Sequence, residues 1–193
     1  MLDCSRNGVM KPQVVKVMID YLSQMGYNTL MLYTEDTYEV DNQPYFGYLR
    51  GRYSQMELIA IDEYAHSKGI ELIPCIQALA HLNAIMRWPQ YRDMSDCDDI
   101  LCIGDERVYR LLEDIFATLD RCFTSRTVNI GMDEAYMLGL GRYREKNGYP
   151  DRTEIFLSHL NKVAEIGKKY GFTLCMWSDM FFRIASETGQ YYD

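Results

Sequence analysis

Leu30-Met31-Leu32-Tyr33 is an apolar run with no polar residue to mark a solvent face, and Leu72-Ile73-Pro74-Cys75-Ile76 is a second of the same kind. Strands with one wet face alternate apolar and polar residues, whereas strands of a parallel sheet covered on both faces do not. Both runs are therefore read as buried parallel strands, spanning Thr29–Tyr33 and Glu71–Ile76. Pro74 lacks the N–H that a ladder uses, so a local irregularity is expected there. Three further segments, Leu2–Cys4, Thr127–Gly131 and Thr173–Trp177, complete a set of five strands.

Helical patterns fill the spaces between them. Val14, Val15, Met18, Ile19 and Leu22 recur at helical spacing, with Pro12 near the start and Gly26 past the end, the usual asymmetry of helix termini. The next three helices are expected at about Ser54–Lys68, Glu106–Phe123 and Thr153–Tyr170. Each follows a strand, so the order is β-α-β-α, which implies a parallel sheet with right-handed crossovers. Two long segments, Thr37–Tyr53 and Leu82–Asp105, run from a strand to a helix. In a β/α barrel such loops build the active face. The fold class is α/β of the TIM-barrel type, one domain over residues 1–193. Five β/α units fill the chain where a closed barrel takes about 250 residues. An incomplete barrel of about five units is therefore expected, with three units missing and exposed sheet edges prone to self-association.

Composition narrows the function classes. Twenty basic residues against 28 acidic ones leave a net charge of −8, which argues against nucleic acid or an anionic membrane as partner. No apolar run reaches the roughly 20 residues of a membrane helix. Residues 1–6 lack the basic-then-apolar pattern of a signal peptide. The six cysteines are scattered, with no CxxC pair to suggest zinc or redox chemistry. They are read as reduced thiols of a cytoplasmic protein, and neither a metal nor an organic cofactor is expected. Sixteen tyrosines and two tryptophans suit either a packed core or a sugar site, where a flat ring stacks on a pyranose.

The strand ending in Val128-Asn129-Ile130-Gly131 runs straight into Met132-Asp133-Glu134. Six adjacent acidic pairs occur in the chain where composition alone predicts about four, so a pair as such says little. Asp62-Glu63, Asp98-Asp99, Asp105-Glu106 and Glu113-Asp114 read as solvated charges. Asp133-Glu134 differs by lying at a strand's C-terminal end, where barrel enzymes place catalytic groups. On the residues alone, a catalytic and a surface role both stand.

Beyond this point the chain resembles a known family, the β-N-acetylhexosaminidases of glycoside hydrolase family 20. Gly131-Met132-Asp133-Glu134 is similar to the family's Gly-x-Asp-Glu strand end, and Asp3-Cys4-Ser5-Arg6 to its Asp-x-x-Arg on the first strand. Thr34-Glu35-Asp36, Gln77 leading to His81, and Trp177-Ser178-Asp179 resemble the ends of its second, third and fifth strands. The resemblance implies a retaining, exo-acting enzyme that removes terminal β-linked GlcNAc or GalNAc from an N-acetylated glycan. The substrate's own 2-acetamido oxygen is then the nucleophile, an exception among glycosidases.

The same resemblance assigns roles. Asp133 would hold the acetamido N–H and Glu134 would serve as general acid, then base. As strand neighbours, their side chains would point apart. His81 and Asp36 would tune the acid, Arg6 would grip hydroxyls at the non-reducing end, Trp177 would wall the acetamido pocket, and Asp179 would orient Asp133. Without the resemblance, His81 reads as a core histidine, Asp36 as a helix or turn cap and Trp177 as core packing, while Arg6 is as readily a surface or barrel-end ion pair as a site residue. Tyr38, Tyr45, Arg50 and Arg52 in the second loop are further candidates for a subsite. The rival reading is an inactive fragment or a non-catalytic sugar-binding protein built on a half-barrel.

Overall fold

The computed structural model describes residues 1–6, 8–149, 151–185 and 188. The element order is β1 (Leu2–Asp3), α1 (Pro12–Gln24), β2 (Thr29–Glu35), α2 (Gln55–Ser67), β3 (Glu71–Ile76), α3 (Asn83–Met86), α4 (Pro89–Arg92), β4 (Ser95–Cys97), β5 (Ile100–Leu101), α5 (Glu106–Cys122), β6 (Thr127–Asn129), α6 (Arg142–Asn147), α7 (Arg152–Lys169), β7 (Thr173–Cys175) and α8 (Asp179–Ala185). The main sheet is parallel throughout, in the order β1-β2-β3-β6-β7. Its five strands are the five read from the sequence, and they lie in chain order.

Three of the four long helices begin with a side-chain cap, and the first begins with a proline. Pro12 opens α1. At α2, the Ser54 hydroxyl accepts from the Glu57 amide while the Glu57 carboxylate accepts from the Ser54 amide, a complete capping box. Asp105 and Asp151 cap α5 and α7 through their carboxylates. Gly69, at φ 73°, takes the left-handed turn past the end of α2. Successive helices then pack side by side, α1 on α2, α2 on α5 and α5 on α7.

Strand alternation divides the sheet into two faces. Leu30, Leu32, Leu72 and Val128 join Val15, Ile61, Leu112 and Phe116 of the helices in one apolar core. Tyr33, Ile73 and Cys75 are also buried but stand outside that cluster, on the other face of their strands. Both faces are thus occupied, which accounts for the unbroken apolar runs.

Two expectations are corrected. β3 passes through Pro74 in register with Leu32 and is regular there. The irregularity lies in β2, where the register shifts between Tyr33 and Glu35 and Glu35 takes a φ of 47°. The second correction concerns 82–105, which is no plain loop. It holds α3, α4 and the β4–β5 hairpin, an antiparallel pair. The segment 37–53 is closed on itself by a bridge between Tyr38 and Tyr53. All six cysteines are free, with Cys4, Cys75, Cys102 and Cys122 buried. Among the described residues no helix is long and apolar enough to cross a membrane.

Candidate active site

The C-terminal ends of β1, β2, β3, β6 and β7 converge on a cavity of about 250 Å³ lined by Arg6, Tyr33, His81, Asp133, Glu134 and Trp177, with Met1 at one side. β6 ends at Asn129, before the acidic pair. Gly131 and Met132 then take left-handed φ values of 68° and 65°, so the alternation of a strand no longer governs the acidic pair. Asp133 and Glu134 do not point apart, as strand neighbours would. Their carboxylates approach the same atom, His81 Nε2, at 3.3 and 3.5 Å. The two differ in depth: the Asp133 side chain is 21% exposed and that of Glu134 51%.

Gly131 is required on two counts. A side chain there would be strained at this φ, and its Cβ would overlap Gln77 Oε1 and lie 2.7 Å from the Ile76 carbonyl oxygen. The Gly131 amide donates to Asn129 Oδ1, and the Trp177 amide donates back to the Gly131 carbonyl. Those bonds tie the turn to its own strand and to the end of β7. His81 and Glu134 add φ values of 58° and 54°. With Glu35 and Met132, four of the seven non-glycine residues at positive φ among the described residues lie at or beside this one cavity. Each costs about 1–3 kcal/mol and persists only where its surroundings over-determine it.

His81 Nε2 lies 3.3 Å from Asp133 Oδ2, an ion pair whenever the ring is protonated. The hydrogen bond with Asp133 raises the His81 pKa against the opposing effect of burial, with Glu35 and Asp99 contributing further negative charge. Burial pushes Asp133 up, but hydrogen bonds from His81 and Gln77 outweigh it and leave its pKa below the usual value. Behind Asp133 runs a buried chain of polar contacts. Gln77 Nε2 donates to Asp133 Oδ1 at 2.8 Å and to the Tyr33 hydroxyl at 3.1 Å. That hydroxyl donates to Glu35 Oε1 at 2.9 Å, and Glu35 pairs with Arg6 at 3.2 Å. Burial raises the pKa of Glu35, opposed by its bond from Tyr33 and by Arg6.

Of the residues singled out in the sequence, Arg6, His81, Asp133, Glu134 and Trp177 meet at the cavity. Asp179 lies just behind and accepts the Glu134 amide at 2.9 Å; it fixes the backbone of the pair, while the Asp133 carboxylate is held by Gln77. Asp36 is not brought to the cavity. It is buried against Arg50 at 3.2 Å, and the carboxylate of β2 that acts on His81 is Glu35. Arg50 also donates to the Ser5 and Arg6 carbonyls, which makes it a brace for the β1 end. Arg52 binds the Pro44 and Phe46 carbonyls, Tyr38 is buried in the core, and Tyr45 packs on Tyr48 and Trp88 at the surface.

Sequence reasoning missed Tyr33, Glu35, Gln77 and Asp99. Asp99 was read as a solvated charge, yet it accepts the His81 amide at 3.0 Å and lies 4.0 Å from its Nδ1. The first three sit at strand ends, the same signal that marked Asp133. Among the described residues there is no group of three metal-ligating side chains.

Known proteins resemble this chain in sequence and in fold. The human protein Hexosaminidase D is 24% identical over 183 residues, which is 84% of this chain and 37% of that protein. The chain thus spans little over a third of its curated relative. The fold matches that of the β-N-acetylhexosaminidase of Streptomyces coelicolor A3(2), with a TM-score of 0.77, 24% identity, and 93% of this chain against 39% of that one. It also matches the β-hexosaminidase of Streptomyces plicatus (TM-score 0.78, 25% identity, 93% and 38% covered). The exo β-N-acetylglucosaminidase of Vibrio harveyi superposes with a TM-score of 0.82 at 19% identity, covering 93% and 35%. Residues 1–190 match the family described as glycosyl hydrolase family 20, catalytic domain, and the chain belongs to that family of hydrolases.

Proposed function

We propose that this domain removes terminal, non-reducing β-linked N-acetylhexosamine by a retaining, substrate-assisted reaction, and that its sheet forms the first five β/α units of an eight-stranded barrel. The observation that carries the mechanism is the meeting of both carboxylates at one imidazole nitrogen. A protein nucleophile and an acid would have to flank the scissile bond. Two neighbouring carboxylates that both approach one imidazole nitrogen suit a reaction in which the 2-acetamido oxygen of the sugar attacks and no protein nucleophile is needed. Asp133, the deeper of the two, receives the acetamido N–H and offsets the positive charge of the oxazolinium ion. Glu134, half exposed at the mouth, protonates the leaving oxygen and then takes a proton from the incoming water.

Trp177 and Arg6 border the same space. Trp177 walls the acetamido group, and Arg6 faces the ring hydroxyls while anchored by Glu35. The chain-order parallel sheet and the similarity of its fold to far longer family members support the barrel reading.

The test uses p-nitrophenyl β-N-acetylglucosaminide and the matching galactosaminide, with Glu134→Gln and Asp133→Asn as controls and light scattering on the same sample. Release by the wild type that falls at least about a hundredfold in either control is expected. Scattering tells whether the active species is a monomer or an assembly closed through the sheet edges β1 and β7. Binding of N-acetylglucosamine without release from any substrate would favour the non-catalytic reading instead.

A further inference from the structure

Gln77 is buried, 1% exposed, and every polar atom of its side chain is engaged. Its orientation is fixed by chemistry, since the Met132 amide donates to Oε1 at 3.1 Å, which makes the other terminal atom the NH2 group. One N–H of that group goes to Asp133 Oδ1 and the other to the Tyr33 hydroxyl. Asp133 is therefore gripped at both oxygens from two directions, Oδ1 by Gln77 at the end of β3 and Oδ2 by His81 on the loop after it. The amide also spans the Asp133 turn, holding Met132 N and Asp133 Oδ1 with opposite ends of one rigid plane.

A neutral donor suits this position. An ammonium or guanidinium here would bind Asp133 as a full ion pair and weaken it as an acceptor for a substrate N–H. A carboxylate here would repel it. Through Tyr33 and Glu35, the same amide connects Asp133 to Arg6, the group at another edge of the cavity. Gln77 thus sets the aim of the carboxylate that matters most as positive charge develops on the substrate.

We propose that Gln77 is the positioning residue for Asp133, acting on the chemical step rather than on substrate binding. The proposal rests on the reading of Asp133 as the group that receives the acetamido N–H. An interaction that tightens in the transition state lowers kcat when it is lost and leaves KM nearly unchanged. A hydrogen bond to a charged group corresponds to roughly a ten- to hundredfold change in rate.

Two variants separate positioning from folding. Gln77→Leu removes both donors but leaves the Met132 amide unpaired. Gln77→Glu keeps an acceptor for that amide and makes the donor dependent on pH. In Gln77→Leu, kcat on p-nitrophenyl β-N-acetylglucosaminide is expected to fall about tenfold or more, with KM within about twofold. In Gln77→Glu the loss is expected at neutral pH, and the ratio of its kcat to that of the wild type recovers as pH falls, because a protonated Glu donates to Asp133. A structural role alone would give a ratio indifferent to pH. Unchanged kcat in both variants, a pH-flat ratio in Gln77→Glu, or a loss confined to KM would each overturn the proposal.

One readout is independent of turnover. The carboxyl carbon of Asp133, followed by 13C NMR and assigned by its absence in Asp133→Asn, should titrate at higher pH in Gln77→Leu than in the wild type. An unchanged titration overturns the proposal whether or not the protein hydrolyses anything. Wild-type inactivity alongside the expected carboxyl shift would count against the proposed function and not against the hold of Gln77 on Asp133.

Discussion

His159 offers a quantitative test of how the active-site loop is held. It sits on α7, fully buried, with Nε2 2.9 Å from the Ala78 carbonyl and Nδ1 3.4 Å from the Tyr109 hydroxyl. A carbonyl only accepts, so Nε2 carries the proton and Nδ1 is free to accept from Tyr109. Burial disfavours the charged ring and brings its pKa down to about 4, against the raising effect of the Ala78 carbonyl. The unfolded chain binds this proton near the ordinary histidine value of about 6.5. Between those two values the unfolded state holds more protons, so stability present above about pH 6.5 is lost as pH falls through the window. The loss amounts to about 3 kcal/mol by about pH 4, roughly half of it by about pH 5.5. Other groups oppose one another: His81, Glu35, Asp36 and Asp62 have raised pKa values and favour the folded state as pH falls, while Asp133 does the reverse. The contribution of His159 is therefore isolated by difference. Urea unfolding of the wild type and His159→Gln at about pH 7, 5.5 and 4 should show the wild type losing about 3 kcal/mol more than the variant. The Gln amide can still donate to Ala78 but does not titrate. Parallel pH profiles, agreeing within about 1 kcal/mol, would refute the reasoning.

Two other outcomes rest on single contacts. Gly131→Ala places a Cβ against Gln77 Oε1 and the Ile76 carbonyl at a left-handed φ, and should lower stability by about 3 kcal/mol in denaturant unfolding and abolish most turnover. Ser54→Ala removes half of the α2 capping box, far from the cavity; a loss of about 1 kcal/mol with unchanged kcat is expected from unfolding and turnover measured on one preparation.

The fold was legible because its signals are local. An apolar run long enough to be a strand, and a capped amphipathic stretch after it, carry their own evidence. Helices α1, α2, α5 and α7 accordingly begin and end within one or two residues of the sequence reading. The β4–β5 hairpin was not legible: its strands have three and two residues, too few to show a period, and its turn is the acidic pair Asp98-Asp99. Nothing local distinguishes that pair from solvated charge. What matters is that the hairpin folds back to the end of β3, where Asp99 meets His81, and that is a property of the tertiary structure.

The contrast between Glu35 and Asp36 shows how the parity of one strand decides a site. A motif match places the acidic end of β2 at the cavity but does not say which of two neighbours faces in. Side chains alternate along a strand, so residues two apart share a face. Leu32 belongs to the helix-facing core and Tyr33 lines the cavity. Tyr33 therefore carries Glu35 with it, and the hydrogen bond between them confirms that they share a side. Asp36 lies past the end of β2 and is received by Arg50 beside the β1 end. The register shift and the left-handed φ at Glu35 then end the strand, before the next residue could turn inward. At β6 the same rule fails for a physical reason, since Gly131 and Met132 leave the extended region before Asp133 is reached. Two consecutive carboxylates can serve one cavity only where the backbone has abandoned alternation, and the glycine that permits it is the part of the Gly-x-Asp-Glu segment on which its chemistry depends.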